Sequence, residues 1–147
     1  MFKIFRYLLK ESDVTENDFI IAVHIATEEN DRSKGFLWAN EGIEKFPASD
    51  MLYALRGNLS LINNNPERAT EDLSQAFSMN ARNPVTTLGF ARLHFAKNNF
   101  TSAKEYIQST KDIDPDGLSG EQADELLQKI ITSEHETETL SMTGIIQ

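Results

Sequence analysis

The sequence predicts an all-α fold: a stack of three two-helix hairpins with one further helix packed at each end. Three observations carry this. The chain is self-similar at an offset of 34 residues, and a fixed period of roughly 20–50 residues marks a stacked-repeat architecture. Within each copy, apolar residues recur at steps of three and four, as one buried helix face demands. Polar, asparagine-rich breaks divide each copy in two, and no strand-like alternation competes with the helical pattern.

The offset is visible in particular residues. It joins Gly57 to Ala91, Asn58 to Arg92, Ala69 to Ala103 and Leu73 to Ile107. It also relates Ala81 to Pro115 and, going backwards, to Pro47. The copies therefore run 16–49, 50–83 and 84–117 without insertion. Residues 1–15 form an N-terminal segment, 118–132 a C-terminal helix, and 133–147 a tail.

Each copy opens with one apolar stripe: Phe19, Ala22, Val23 and Ala26, then Tyr53, Gly57 and Leu61, then Leu88, Ala91 and Phe95. The breaks follow at Glu29-Asn30-Asp31, Asn63-Asn64-Asn65-Pro66 and Asn98-Asn99. A second stripe closes each copy: Leu37, Ile43 and Phe46, then Ala69, Leu73, Ala76 and Phe77, then Ala103, Tyr106 and Ile107.

Helix starts are marked at these boundaries. Thr15 with Asp18, and Ser119 with Gln122, have the spacing of capping boxes. Asn65-Pro66 and Asn83-Pro84 place an N-cap residue before a proline, which is tolerated in the first helical turn. Pro47 and Pro115 end second helices, because proline cannot continue one. Gly57, Ala91, Ala69 and Ala103 sit where two helices folded back on each other must approach closely.

The ends of such a stack need covers. Residues 119–132 fit one, with Leu126, Leu127, Ile130 and Ile131 inward and acidic residues outward. Residues 2–10 fit the other. The polar stretch from Ser133 to Gln147, apolar only near Ile145-Ile146, is expected to be mostly disordered.

Composition narrows the function. The 147 residues suit one domain with a sizeable core. The net charge of -9 opposes binding to nucleic acid and anionic membranes. With no cysteine there is no disulfide framework and no thiolate metal site, which fits a cytoplasmic location. No apolar run is long enough to cross a membrane. The first ten residues lack a signal peptide's apolar core and cleavage site and are expected to be retained. Phe2, Phe5, Leu8 and Leu9 share one helical face there, with Lys3, Arg6 and Lys10 elsewhere. Packing of that face onto the first repeat is favoured over a weak membrane-surface contact.

At this point the chain resembles the tetratricopeptide repeat family. Its 34-residue pattern wants a small residue at position 8, Ala at 20, a bulky apolar residue at 24, a small one at 27 and Pro at 32. The second copy offers Gly57, Ala69, Leu73, Ala76 and Ala81; the third offers Ala91, Ala103, Ile107, Thr110 and Pro115. The first offers Val23, Gly35, Ala39, Gly42 and Pro47 and is the most degenerate. The pattern is broken at Arg56, where a bulky apolar residue is usual, and at Ser60 and His94, where Tyr is usual.

The resemblance implies a right-handed α-solenoid whose first helices line a concave groove. It directs four positions of each first helix into that groove. These are Asn17, Ile20, His24 and Thr27; Met51, Ala54, Asn58 and Leu61; Val85, Leu88, Arg92 and Phe95. His24, Asn58 and Arg92 then form a polar ladder, one residue per repeat. Asn58 is placed to hold a ligand backbone amide and Arg92 to pair with a carboxylate. The alternative is that these residues pack against the tail, a neighbouring helix or a second subunit. The family's lysine-and-asparagine clamp for C-terminal carboxylates is not matched. Ile20, Ala54, Val85 and Gly89 stand at its basic positions, and only Asn58 agrees.

Other motifs give no chemistry. Asp112-Ile113-Asp114-Pro115-Asp116-Gly117 opens like a calcium loop, but its twelfth position is Ala123 and Pro115 interrupts it. His24, His94 and His135 share no repeat position and build no metal site. No phosphate-binding loop, His-Glu-x-x-His or Gly-x-Ser-x-Gly is present. The expected function is that of a non-enzymatic adaptor, without cofactor, binding an extended or helical segment of another protein as a monomer or homodimer. The alternatives are a self-assembling structural protein and a small chaperone for a secreted or assembling client.

Overall fold

The structure, a computed structural model, describes residues 13–144. The expected helix over residues 2–10 and the apolar pair Ile145-Ile146 lie outside these residues. Seven helices and no strand occur among them: α1 (Glu16–Glu28), α2 (Arg32–Lys45), α3 (Asp50–Ile62), α4 (Pro66–Met79), α5 (Pro84–Ala96), α6 (Phe100–Ile113) and α7 (Leu118–Met142). Each repeat is one antiparallel pair, α1–α2, α3–α4 and α5–α6, and these pairs hold the tightest interfaces.

Periodic cap residues set the boundaries. Thr15, Ser49, Asn83 and Gly117 precede the first helices, and Asp31, Asn65 and Asn99 precede the second helices. Thr15 and Asp18 form the reciprocal capping box expected. Between the helices of each hairpin, Asn30, Asn64 and Asn98 adopt φ of 56°, 56° and 57°. Asparagine is the non-glycine residue best suited to this left-handed region. The asparagine-rich breaks are thus turn residues in register. The first-helix caps also join repeats: Ser49 donates to Glu16, and Asn83 donates to Asp50 at 2.7 Å.

Layering follows from which helices touch. The first helices pack in succession, α1 on α3, α3 on α5 and α5 on α7. No comparable contact joins α2 to α4 or α4 to α6. The first helices are therefore the inner, concave layer, and the second helices splay around the outside. One apolar cluster lies in α1–α3, around Phe19, Val23, Trp38, Leu52 and Leu59. Another lies in α5–α7, around Leu88, Ala91, Ile107, Leu126 and Ile130. Leu73 of α4, fully buried, wedges between α3 and α5. A Cβ on Gly89 would lie 2.5 Å from its Cδ2, so any side chain on the α5 side would force Leu73 to shift.

The departures from the repeat pattern prove to be substitutions of one interaction by another. Arg56 meets Asp72 in a two-pronged ion pair, Nε to Oδ2 at 2.8 Å and Nη2 to Oδ1 at 2.7 Å. Its Nη1 donates to Asn40 of the preceding repeat at 2.8 Å. One repeat later, the same two positions are Phe90 and Tyr106, with rings stacked at 5.1 Å. One repeat earlier they are Ala22 and Trp38, both in the first core cluster. One slot in the hairpin is thus filled by small-plus-large, charge-plus-charge and ring-plus-ring. His94 extends the ring column, lying 5.4 Å from Tyr106 and nearly parallel to it. Ser60 is buried and donates to the Arg56 carbonyl.

Two expectations at the C-terminal end are corrected. Ser119 and Gln122 do not cap α7: its N-cap is Gly117, and the Ser119 N–H donates to Asp114 Oδ2 at 3.1 Å from outside the helix. Asp114 crowds Gly117 so closely that a Cβ there would sit 2.0 Å from Oδ1. That capping contact, with Asp112 accepting from Gln108 at 2.8 Å, is what the calcium-like stretch does. The second correction is that residues 133–142, expected in a disordered tail, continue α7 as one helix. Counting on by one period, Thr132 and Ser133 stand where Asn98 and Asn99 make the preceding turn. Without a left-handed asparagine the helix does not reverse. Glu125 likewise stands where Gly57 and Ala91 admit a partner helix, so α7 ends the stack.

Candidate functional site: the concave face

The inner layer carries the residues that the repeat register assigns to a groove. Ile20, Met51 and Val85 are half-buried and pack together on the first core cluster, joining α1, α3 and α5. Leu61 and Phe95 are also half-buried, and Phe95 lies against Phe100 with ring centroids 5.9 Å apart. His24 and Thr27 are exposed; the Thr27 hydroxyl donates to the Val23 carbonyl at 2.8 Å. Leu88 is buried in the second cluster and offers a partner almost nothing.

The polar ladder is only partly assembled. Asn58 is 8% exposed. Its amide donates to the carbonyls of Ala54 at 2.9 Å and Val85 at 3.3 Å. Its Oδ1 accepts from Arg92 Nη1 at 2.9 Å. The side chain therefore spends both amide hydrogens, and one of its two acceptor sites, inside the protein. The reading of Asn58 as a holder of ligand backbone is corrected to a strut between α3 and α5. His24 takes no part in the ladder.

Arg92 spans three helices. It bonds Asn58 of α3 and, through Nη2, Gln122 Oε1 of α7 at 2.9 Å. Both partners are neutral oxygens, and among the described residues no carboxylate forms an ion pair with it. Burial disfavours its charged form and lowers its pKa, while the charge of Glu125 opposes this. A guanidinium has five N–H donors, and two are engaged here. Gln122 is the groove residue that sequence reasoning missed. The signal was present: one period separates it from Leu88, two from Ala54, three from Ile20.

The geometry is that of stacked hairpins with the first helices as the inner layer, and a family model of the tetratricopeptide repeat matches residues 60–132. The chain belongs to the tetratricopeptide repeat family. A solved tetratricopeptide domain, that of Arabidopsis OM64, superposes with a TM-score of 0.64. It is 16% identical, and the alignment covers 78% of this chain and 94% of that one. At that identity the likeness is one of fold. No curated protein sequence matches. In this tetratricopeptide chain the matched span begins inside α3 and runs to the end of the packed part of α7. The α1–α2 hairpin, whose repeat is the most degenerate, lies before it. No helix of the described residues is long and apolar enough to cross a membrane. Among the same residues, no group of three or more His, Asp and Glu side chains is placed to hold a metal ion.

Proposed function

We propose that this protein is a non-enzymatic adaptor that holds an extended or helical segment of another protein along its concave face. The observation that supports it most is the inner layer itself. Successive first helices present half-buried apolar side chains in register, Met51 with Val85 and Leu61 with Phe95 each one period apart, and Ile20 packs beside the first pair. Rigid hairpins display these groups with little ordering cost on binding. Arg92 adds a cation with unspent donors among neutral partners, suited to an acidic side chain of the bound segment.

The test is affinity capture from native lysate, read by mass spectrometry. Wild type is compared with a His24→Ala, Thr27→Ala, Leu61→Ala variant whose helicity is confirmed by circular dichroism. Asn58 and Arg92 are left intact because they tie helices together. A partner held by wild type and lost by the variant is the expected outcome. Equal capture by both would remove the concave face from the account.

A further inference from the structure

We propose that the cleft between the α5–α6 turn and the projecting half of α7 is a second docking site, which takes a large apolar side chain from a lysine- or arginine-rich segment of a partner protein. It lies apart from the groove reading and shares only Phe95 with it.

The cleft arises from a change along one face of α7. Ala123, Leu126 and Ile130 are buried in the core. The same stripe continues as Ser133 and Thr137, which are too short to cover Phe95 and Phe100. A cleft of about 690 Å³ remains, with Leu140 at its far lip, 39% exposed. A second cleft of about 740 Å³, sharing Phe100 and Thr137, lies alongside and is edged by Met142. These volumes fall in the range of sites that bury a ligand group, roughly 300–1,000 Å³.

The projecting helix itself is short of support. Among the described residues, its last bond to another helix is the Lys104–Glu134 ion pair at 2.8 Å. From there to Thr143, the side-chain hydrogen bonds among the described residues run within α7 and its C-cap. Most helical stability in proteins comes from tertiary packing of one face, so a covering partner stabilises this end of α7.

Charge decides the partner's chemistry. Glu136 lines the first cleft and Glu138 the second, and among the described residues neither is in an ion pair. Lys97 adjoins the first cleft between Ala96 and Asn98 without lining it, and Lys104 is held by Glu134, which lines the second. Among the described residues no cationic side chain lines either cleft. An apolar anchor with basic neighbours meets both features, and an acidic segment is repelled.

The experiment uses the full chain and a fluorescein-labelled peptide of about twelve residues alternating Lys-Phe and Lys-Leu, followed by anisotropy. Saturable binding is expected. Thr137→Leu, which covers part of the Phe95–Phe100 surface and should preserve helicity, weakens it about fourfold, the worth of one buried methylene. Glu136→Lys with Glu138→Lys does the same. Glu28→Lys with Glu44→Lys, equal in net charge but on the first hairpin, changes affinity by less than about twofold. Absence of saturable binding to wild type would overturn the proposal. So would an unchanged affinity in Thr137→Leu, or equal losses in the two charge-reversed proteins.

Discussion

Replacing Asp72 by asparagine should destabilise the protein by about 3 kcal/mol, the low end for breaking a buried ion pair. The carboxylate accepts two parallel bonds from Arg56, and the two side chains are only 6% and 17% exposed. Asparagine keeps the shape, removes the charge and turns an N–H₂ group toward the guanidinium. Arg56 would retain Asn40 as its neutral partner and some contact with water, which keeps the cost from the upper end. Urea unfolding followed by circular dichroism should then show the midpoint falling by about 1–2 M with an unchanged slope. The repeat supplies its own control. Asn40→Ser in the first hairpin, with Arg56→Phe and Asp72→Tyr in the second, together install the residues found one period later, Ser74, Phe90 and Tyr106. That triple variant should lie within about 1 kcal/mol of wild type, because an apolar pair replaces an ionic one without leaving a charge behind. A loss below about 1 kcal/mol in Asp72→Asn, as for an exposed pair, would refute the reasoning. A triple variant no more stable than the single one would do so too.

Other expectations follow from the same contacts. Gly89→Ala brings a methyl 2.5 Å from Leu73 Cδ2 and 3.0 Å from Asn58 Nδ2, and should cost about 1–3 kcal/mol; a melting temperature at or above wild type would show that the wedge is slack. Asn64→Gly should be nearly neutral at φ of 56°, whereas Asn64→Val should cost about 1–2 kcal/mol, measured by the same melts. Hydrogen bonds from the Thr15 backbone and side chain lower the Asp18 pKa, and those from the Lys34 side chain and backbone lower that of Asp31. Their folded values thus lie below the unfolded ones, so their contribution is present above about pH 4 and lost as pH falls through the folded values. Stability should therefore fall below about pH 4, with a shallower decline in Asp18→Asn.

Much of this fold was legible because its signals repeat. Thr15, Ser49, Asn83 and Gly117 fall one period apart, and the apolar stripes between them share that register. A periodic chain states each boundary several times, which is why hairpin order and spacing can be read without coordinates. The turn asparagines Asn30, Asn64 and Asn98 were equally periodic, but in sequence they read only as polar breaks. What escaped were pairings between positions. Arg56 looked like a defect until Asp72 and Asn40 were seen around it. Asn58 looked like a ligand-binding amide because sequence register says where a side chain starts, not what it meets. The length of α7 is not legible from polarity alone, because a polar stretch suits a solvated helix as well as a disordered tail. The informative feature was the missing turn residue at Thr132, in a stretch otherwise rich in helix-compatible glutamate.

The central claim is that the concave layer is where a partner lies. Its most direct test is photo-crosslinking in native lysate from single benzoylphenylalanine positions. One set would be inner-layer sites at His24, Thr27 and Leu61; the other, outer-layer sites at Glu71, Gln75 and Gln108. The account predicts the same adduct from the inner sites and none from the outer ones. A partner that crosslinks from the outer helices, and not from His24 or Leu61, would contradict it.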